Sequence, residues 1–347
     1  MKFLSVLIFL SFFLFVSCSQ EERVIDQSNP NWKTLISTAD VNNSVKLIEQ
    51  PTGKIIKEDI FLEANGELLG AKVKKMIEFQ KKIFLFLPEI YKIEIVDKDN
   101  FKRLSILDFS SEKKSPTGIC FANATTAYIA FGNDSTVDVL DLTNFKIART
   151  IKVGREPFSI VNSGNQIFVA NKLDNTLSVI DSRTNEVTHT INVPQVPLFL
   201  DVSPDGARVV LISSGTGKYD AAETKSPAYI TLIDVATKQI LKSKELGRTG
   251  INSIEQIPTA VASTVSNSGF VSTNEFLIRI NTLNGDEITN LGKGNHLTLS
   301  YNYKRDELII IRQTTKGIEG ITANSLTGKQ IQKLFIPENF IALLPYQ

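Results

Sequence analysis

A short apolar segment that ends in an acidic or amide residue, and then enters a tight turn, recurs along the chain. The clearest copies are residues 137–141 (VDVLD) and 177–181 (LSVID). All seven copies end at Glu49, Asp97, Asp141, Asp181, Asp234, Asn281 and Asn324. The spacing runs from 40 residues (141 to 181) to 53 residues (181 to 234), which is typical of a repeat architecture.

Each repeat contains four strand candidates. In the clearest repeat they span 157–161, 166–170, 176–181 and 187–192. The segments are short, rich in β-branched residues and separated by turn residues, which favours strands over helices. A four-stranded antiparallel unit cannot bury both of its faces alone, so the repeats predict the blades of a β-propeller.

The two ends of the chain predict how the ring closes. The first repeat has strand candidates near 32–38, 44–49 and 54–62 but no innermost strand, whereas 340–344 (FIALL) is an apolar strand without partners of its own. Pairing the two completes a blade. We therefore predict an all-β fold over residues 32–347: a seven-bladed β-propeller of four-stranded antiparallel blades, closed by the C-terminal strand in the N-terminal blade.

The N-terminal residues predict export and lipid attachment. The apolar run 3–16 follows Lys2 and would span about 21 Å as a helix, which is short of the roughly 30 Å bilayer core. A cleaved signal is therefore favoured over a membrane span. Residues 15–18 (FVSC) resemble a bacterial lipobox, which implies a signal peptide over 1–17 and lipidation of Cys18. The alternative is an ordinary secretory signal that contains a cysteine.

Residues 18–31 are predicted to form a lipid-anchored, flexible tether. Within it, residues 19–22 (SQEE) look like the acidic tag that sends lipoproteins of Bacteroidetes to the outside of the outer membrane. Exterior and periplasmic orientations both remain open.

Two neighbouring repeats resemble a known family. Residues 150–154 (TIKVG), Pro157, 167–171 (IFVAN) and 174–181 (DNTLSVID) are similar to the YVTN repeats of surface-layer-type and YncE-like seven-bladed propellers. The resemblance is strongest over 116–197 and fades toward both ends. It implies a propeller lipoprotein of the kind that, in Bacteroidetes, captures cobalamin above an outer-membrane TonB-dependent transporter.

Composition and motifs exclude several function classes. The net charge of +1 gives no reason to expect nucleic acid as a partner. Two cysteines cannot form a disulfide framework, and two histidines leave little for metal or acid–base sites. Cys120 lies in an apolar stretch and is predicted to be buried and inert. Because no catalytic, metal or cofactor motif appears, no cofactor is expected.

The candidate ligand site is predicted at one mouth of the ring. There the loops that enter each innermost strand meet the loops between the second and third strands. Basic and aromatic side chains of these loops are the candidate contacts: Tyr91, Arg155, Phe158, Lys172, Phe199, Lys218, Tyr219, Arg248, His296 and Arg312. Two long loops are predicted on this face, 213–227 and 265–275, the second carrying Phe270. An ordinary solvated or structural role is the alternative for each residue.

These observations lead to one expected function and two alternatives. We expect a monomeric lipoprotein of a Gram-negative outer membrane, held to the membrane only by its N-terminal lipid. It would bind a small molecule, cobalamin-like in the closest analogy, without catalysis and pass it to a TonB-dependent transporter. The alternatives are a scaffold for envelope proteins or polysaccharide and a hydrolase of the lactonase type.

Overall fold

The computed structural model describes residues 31–216, 226–246, 258–264 and 267–346. The predicted signal peptide, Cys18 and the tether up to residue 30 lie outside these residues, as do Lys218, Tyr219 and Arg248. Within the described ranges, 28 strands form seven four-stranded antiparallel sheets, which confirms the predicted propeller.

The blades follow one another along the chain, and each is named from its innermost strand outward. Blade 1 consists of β28 (Phe340–Tyr346), β1 (Trp32–Thr38), β2 (Val45–Gln50) and β3 (Lys54–Lys57). Blades 2 and 3 consist of β4 (Lys75–Phe79), β5 (Lys82–Leu87), β6 (Lys92–Asp97) and β7 (Arg103–Asp108), and of β8 (Pro116–Phe121), β9 (Thr126–Phe131), β10 (Thr136–Asp141) and β11 (Lys146–Lys152).

The remaining blades keep the same order. Blades 4 and 5 consist of β12 (Pro157–Ser163), β13 (Gln166–Asn171), β14 (Thr176–Asp181) and β15 (Glu186–Asn192), and of β16 (Pro197–Val202), β17 (Arg208–Ser213), β18 (Tyr229–Asp234) and β19 (Ile240–Glu245). Blades 6 and 7 consist of β20 (Pro258–Ser263), β21 (Ser268–Thr273), β22 (Phe276–Asn281) and β23 (Glu287–Lys293), and of β24 (Asn295–Asn302), β25 (Glu307–Thr314), β26 (Gly317–Asn324) and β27 (Gln330–Leu334).

The recurring acidic or amide residue has a local structural reason. In blade 4, the Asp181 carboxylate at the end of β14 accepts the N–H of Arg183 at 2.8 Å, and the Asp181 carbonyl accepts the N–H of Asn185, also at 2.8 Å. Asn185 has a left-handed φ of 58°. The fourth residue after the strand-end residue is left-handed in all seven blades: Gly53, Phe101, Phe145, Asn185, Lys238, Gly285 and Gly328. The repeat is thus the signature of one turn that the side chain stabilises locally.

The ring closes as predicted, through the two ends of the chain. Strand β28 pairs antiparallel with β1, from Lys33 opposite Tyr346 to Ser37 opposite Ala342. Blade 1 is also joined to blade 7 by buried Gln50, whose Nε2 donates to the Phe335 carbonyl at 2.9 Å while its Oε1 accepts the Phe335 N–H at 2.8 Å. Trp32 is buried in the apolar cluster between these two blades.

One predicted strand is too long. The segment 54–62 was expected to be a single strand, but β3 ends at Lys57 and a short helix, α1, spans Ile60–Asn65. The Asp59 carboxylate caps this helix by accepting the N–H groups of Phe61 and Leu62, each at 3.1 Å. Phe61 is buried in the cluster between blades 1 and 2, so packing as well as capping favours the helix. Among the described residues, no helix is long and apolar enough to cross a membrane.

Candidate ligand-binding site in the central channel

The innermost strands surround the axis of the ring and alternate in character. One set of side chains is apolar and buried against the preceding blade, as Ile119, Ile160 and Leu200 are. The side chains that alternate with these on each innermost strand form a second set. Its members nearest the loops that join second to third strands make up a layer at that end of the ring, which we call the upper layer. We define this upper layer by the strand register as Lys75, Gly118, Ser159, Phe199, Ala260, Thr298 and Ala342.

The upper layer is made mostly of small residues. Five of its seven members are glycine, alanine, serine or threonine, and only Lys75 and Phe199 are large. Small residues let neighbouring blades approach closely, as at Gly118, where a Cβ would lie 3.2 Å from Ile160 Cγ2 of blade 4. The layer thus presents one cationic and one aromatic side chain among small residues.

Beta-bulges shape the rim of this mouth. The register shifts by one residue at the start of the innermost strand in each of blades 3 to 7. A bulge re-aims the extra side chain, and bulges are common beside functional sites. In blade 4 the extra residue is Phe158, whose ring lies 6.0 Å from that of Phe199 at an angle of 81°. Two predicted site residues are thus brought together as an edge-to-face aromatic pair.

Lys75 is the residue of this site that sequence reasoning missed. Its side chain is exposed, and it has no ion-pair or hydrogen-bond partner among the described residues. Desolvation by the surrounding protein nevertheless lowers the pKa of its ammonium group. Its place on β4 puts it on an innermost strand, beside the axis of the ring. The only sequence signal is its position, because β4 begins with Lys-Met where β8, β12, β16 and β20 begin with proline.

Asp201, two residues beyond Phe199 in β16, is a second unpredicted member. Its carboxylate accepts the N–H of Ser263 in blade 6 at 2.5 Å and the N–H of Val202 at 2.8 Å. Burial raises the pKa of this carboxyl to about 6, although these hydrogen bonds act in the opposite direction. The carboxylate thus joins blade 5 to blade 6 from the innermost strand.

The predicted rim cations are present but their charges are compensated. Arg155 Nε lies 2.6 Å from Asp174 Oδ1, and Lys172 Nζ lies 2.8 Å from Glu156 Oε2. Because each cation has an acidic neighbour, the expected basic mouth carries little net charge from them. Lys75 differs from both in having no such neighbour in the described part of the chain.

Tyr91 and Phe270 were both predicted on the face that carries the mouth. Tyr91 adopts a left-handed φ of 60° after the turn 88–90, and its half-buried side chain packs on the cluster between blades 2 and 3. The predicted long loop 265–275 is wrong, because 268–273 forms strand β21 and Phe270 is fully buried. The small and polar residues on either side of Phe270 are typical of a loop, although every residue of β21 is buried.

The predicted loop 213–227 lies between β17 and β18, and residues 217–225 of it are outside the described part of the chain. Its base is described. Thr216 N–H donates to Ser226 Oγ and Ser226 N–H donates to Thr216 Oγ1, both at 3.0 Å. These bonds hold the two ends of the insertion together on the upper face.

His296 and Arg312, both predicted at the mouth, face each other across strands β24 and β25, next to Thr298 of the upper layer. His296 is only 4% exposed, and Arg312 Nη2 lies 2.6 Å from Glu319 Oε2. Both residues line a cavity of about 430 Å³ between blades 6 and 7. Within the described ranges, no group of three or more histidine, cysteine, aspartate or glutamate residues is placed to hold a metal ion. Cys120 is buried, and desolvation raises its pKa, as expected of an inert thiol.

Comparison with known proteins supports the fold. No family model matches the chain, and no curated protein is similar to it in sequence. A solved structure of a functionally unknown protein from Desulfotomaculum acetoxidans DSM 771 is similar with a TM-score of 0.65 at 12% identity, covering 91% of this chain and 99% of that one. Hydrazine synthase of Kuenenia stuttgartiensis is similar with a TM-score of 0.57 at 17% identity, covering 70% and 73%. At these identities the likeness concerns the fold alone.

Proposed function

We propose that the protein is a non-catalytic binding propeller that holds a small molecule at the upper mouth of its central channel. The observation that carries this proposal is Lys75, an exposed cation that has no partner among the described residues and lies in a layer of small side chains. An unpaired ammonium group can bind an anionic or strongly polar ligand atom without first breaking an ion pair. The Phe158–Phe199 pair offers an apolar surface for the body of the ligand.

The sequence extends this proposal to a location and a partner. The lipobox-like residues 15–18, the acidic residues that follow them and the YVTN-like repeats support a lipid-anchored propeller of the Bacteroidetes surface type. In that setting the protein would capture its ligand at the outer membrane, with cobalamin as the first compound to test, and deliver it to a TonB-dependent transporter.

The binding proposal is tested on the mature chain. Untargeted mass spectrometry should identify a small molecule that co-purifies with the wild-type protein and is depleted from Lys75→Met. Lys172→Met is the matched control, because it removes a rim lysine that Glu156 already neutralises. Cyanocobalamin is then titrated against the same three proteins. A protein that carries no ligand and binds no cyanocobalamin at micromolar concentration would contradict the proposal.

The location is tested separately through Cys18. Cys18→Ser should abolish incorporation of labelled palmitate and release the protein from the membrane fraction, without affecting ligand binding. Digestion of intact cells by an added protease distinguishes the cell surface from the periplasm. A Cys18→Ser protein that stays in the membrane would exclude the lipid anchor while leaving the channel site standing.

A further inference from the structure

The outer rim of the ring is most apolar around blade 1. On or shortly after β27, β3, α1 and β7, seven large apolar side chains are 36–53% exposed, and we call them the apolar arc: Ile331, Phe335, Ile55, Ile56, Leu68, Leu104 and Ile106. Across the ring, the outermost strands β15 and β19 of blades 4 and 5 expose Val187, Ile240 and Leu241. Contiguous exposed apolar surface marks a contact with a protein or a membrane.

The elements that carry the arc adjoin one another. The turn before β3 packs on blade 7, because a Cβ on Gly53 would lie 2.6 Å from Phe335 Cγ. At the end of α1, Asn65 Nδ2 donates to the Phe101 carbonyl at 3.0 Å, and Asn65 Oδ1 accepts the Arg103 N–H at 2.8 Å. Blades 7, 1 and 2 are thus joined along the rim, and the arc spans all three.

Lysine side chains lie within the arc without giving it a large net charge. Lys54 and Lys57 flank the two isoleucines of β3. Lys57 forms an ion pair with Glu63, and Lys333 of β27 forms one with Glu319. Lysine can lay its aliphatic stem along an apolar surface while its ammonium group stays in water, which is favoured at membrane interfaces. The arc therefore suits the surface of a bilayer, through apolar contact more than through charge.

The chain enters the fold at the centre of the arc. Strand β1 of blade 1 begins at Trp32, which is buried between blades 7 and 1. Residues 19–31 separate Trp32 from Cys18, and a segment of that length spans at most about 45 Å. A lipid on Cys18 would hold blade 1 nearest to the bilayer and blades 4 and 5 farthest from it. The most apolar part of the rim is thus the part that the anchor brings to the membrane.

We propose that the apolar arc is a docking surface for the lipid bilayer. Its apolar side chains enter the interfacial region, and its lysine ammonium groups lie among the headgroups. This inference rests on the lipid anchor proposed above. It places the rim, rather than either mouth of the ring, against the membrane, so that the upper mouth stays open to ligand.

Fluorescent labelling of the lipidated chain in phosphatidylcholine vesicles tests the docking. Cys120 is buried and Cys18 carries the lipid, so a cysteine introduced on the rim is the thiol that reacts. A dye at Ile331→Cys or Leu104→Cys should be quenched by nitroxide-labelled phospholipid. Leu241→Cys and Val187→Cys are the matched controls, on outermost strands across the ring, and should not be quenched. Equal quenching at all four positions, or none at any of them, would overturn the proposal.

The unlipidated Cys18→Ser chain separates the docking surface from the anchor. It should float weakly with the same vesicles, and adding Ile331→Ser and Leu104→Ser should lower its partition coefficient about tenfold, because both substitutions remove apolar contact area. Leu241→Ser with Val187→Ser is the control and should leave the partition coefficient unchanged. Vesicle binding that the arc variants do not weaken would refute the docking surface.

Two further outcomes are decisive. A chain that incorporates labelled palmitate but shows no quenching at the arc keeps the anchor and refutes the docking surface. A chain without palmitate whose vesicle binding is still weakened by the arc variants refutes the anchor and supports the docking surface. Sedimentation velocity without lipid examines the remaining occupant. A dimer that Ile331→Ser and Leu104→Ser dissociate would assign the arc to a second copy of the chain and contradict the proposal.

Discussion

Blade 1 and blade 4 have the same four-stranded architecture but are assembled differently. Strands β12 to β15 of blade 4 follow one another between Pro157 and Asn192, whereas blade 1 joins β28 from the C-terminus to three N-terminal strands. A blade built from contiguous chain closes only short loops. A blade built from both ends closes almost the whole chain, at a larger cost in loop entropy that its contacts must offset.

This difference predicts which blade boundary is most sensitive to substitution. Gln50 bonds both backbone groups of Phe335 across the boundary between blades 1 and 7, while Asn162 of blade 4 makes one such bond, from Nδ2 to the carbonyl of Phe121 in blade 3 at 3.1 Å. At the closing boundary one side chain thus makes two hydrogen bonds to a single residue of the adjoining blade. On the rim of blade 4, by contrast, exposed Arg155 forms an ion pair with Asp174 of its own blade.

Removing residues 338–347 should have the largest effect. Without β28, strand β1 loses one of its two partners, and Leu35 and Ile36 lose their cover. We expect the whole domain to lose its cooperative thermal transition. Circular dichroism and calorimetry measure this loss. Replacing residues 54–57, the exposed strand β3 of the same blade, by glycine and serine is the control and should act only locally. A truncated chain with an unchanged melting temperature would refute the importance of closure.

Substitution at the blade boundaries should have the next largest effect. Gln50→Ala removes both hydrogen bonds to the Phe335 backbone, which should cost about 1–3 kcal/mol at about 0.5–1.5 kcal/mol per bond. Asn162→Ala removes one hydrogen bond and should cost about 1 kcal/mol. Urea denaturation of both variants gives the comparison. Equal losses would show that the closing boundary is no more sensitive than a contiguous one.

The pH dependence of stability tests a boundary between two contiguous blades, because Asp201 of blade 5 bonds Ser263 of blade 6. Its pKa of about 6 lies above the usual carboxyl value, so folding favours the neutral acid. The stability it contributes is complete below the unfolded pKa and is lost as the pH rises through 6. Asp201→Asn keeps an acceptor for the Ser263 N–H and should be more stable than wild type at pH 8, by on the order of 1–3 kcal/mol. The two proteins should converge near pH 4. A difference that does not change with pH would assign the effect to packing instead.

Arg155→Met should have the smallest effect on stability. The Arg155 side chain is 65% exposed, and ion pairs on the surface are worth about 0–1 kcal/mol. We expect a change in the free energy of unfolding within about 0.5 kcal/mol of zero. A loss as large as that of Gln50→Ala would mean that the rim of blade 4 stabilises the ring after all.

Much of the fold is readable from the sequence because its determinants are local. The strand-end residues Asp97, Asp141, Asp181 and Asp234 each bond the backbone of the turn that follows, so the period of the ring is visible in residue identity alone. Helix α1 was missed since its cap and its buried Phe61 depend on a gap between two blades. Strand β21 was missed since a central strand buried on both faces loses the polar alternation that marks a half-exposed strand.

The candidate site is not readable from the sequence in the same way, because its determinants are not local. Arginine, lysine and aromatic residues near the loops could be identified by type, but their ion pairs with Asp174, Glu156 and Glu319 join residues from different loops and strands. Lys75 and Asp201 looked like ordinary strand residues. Their surroundings are decided by the closed ring, in which Lys75 lies on an innermost strand and Asp201 bonds Ser263 of the next blade.

By itself the sequence determined the repeat, the number of blades and the closing strand, since turn chemistry and apolar patterning act within a few residues. Only the tertiary structure decided which charges are compensated and which are not. An electrostatic interaction depends on distance in space and on exclusion of water. The closed ring brings together residues that are far apart in the chain, and no local pattern records that.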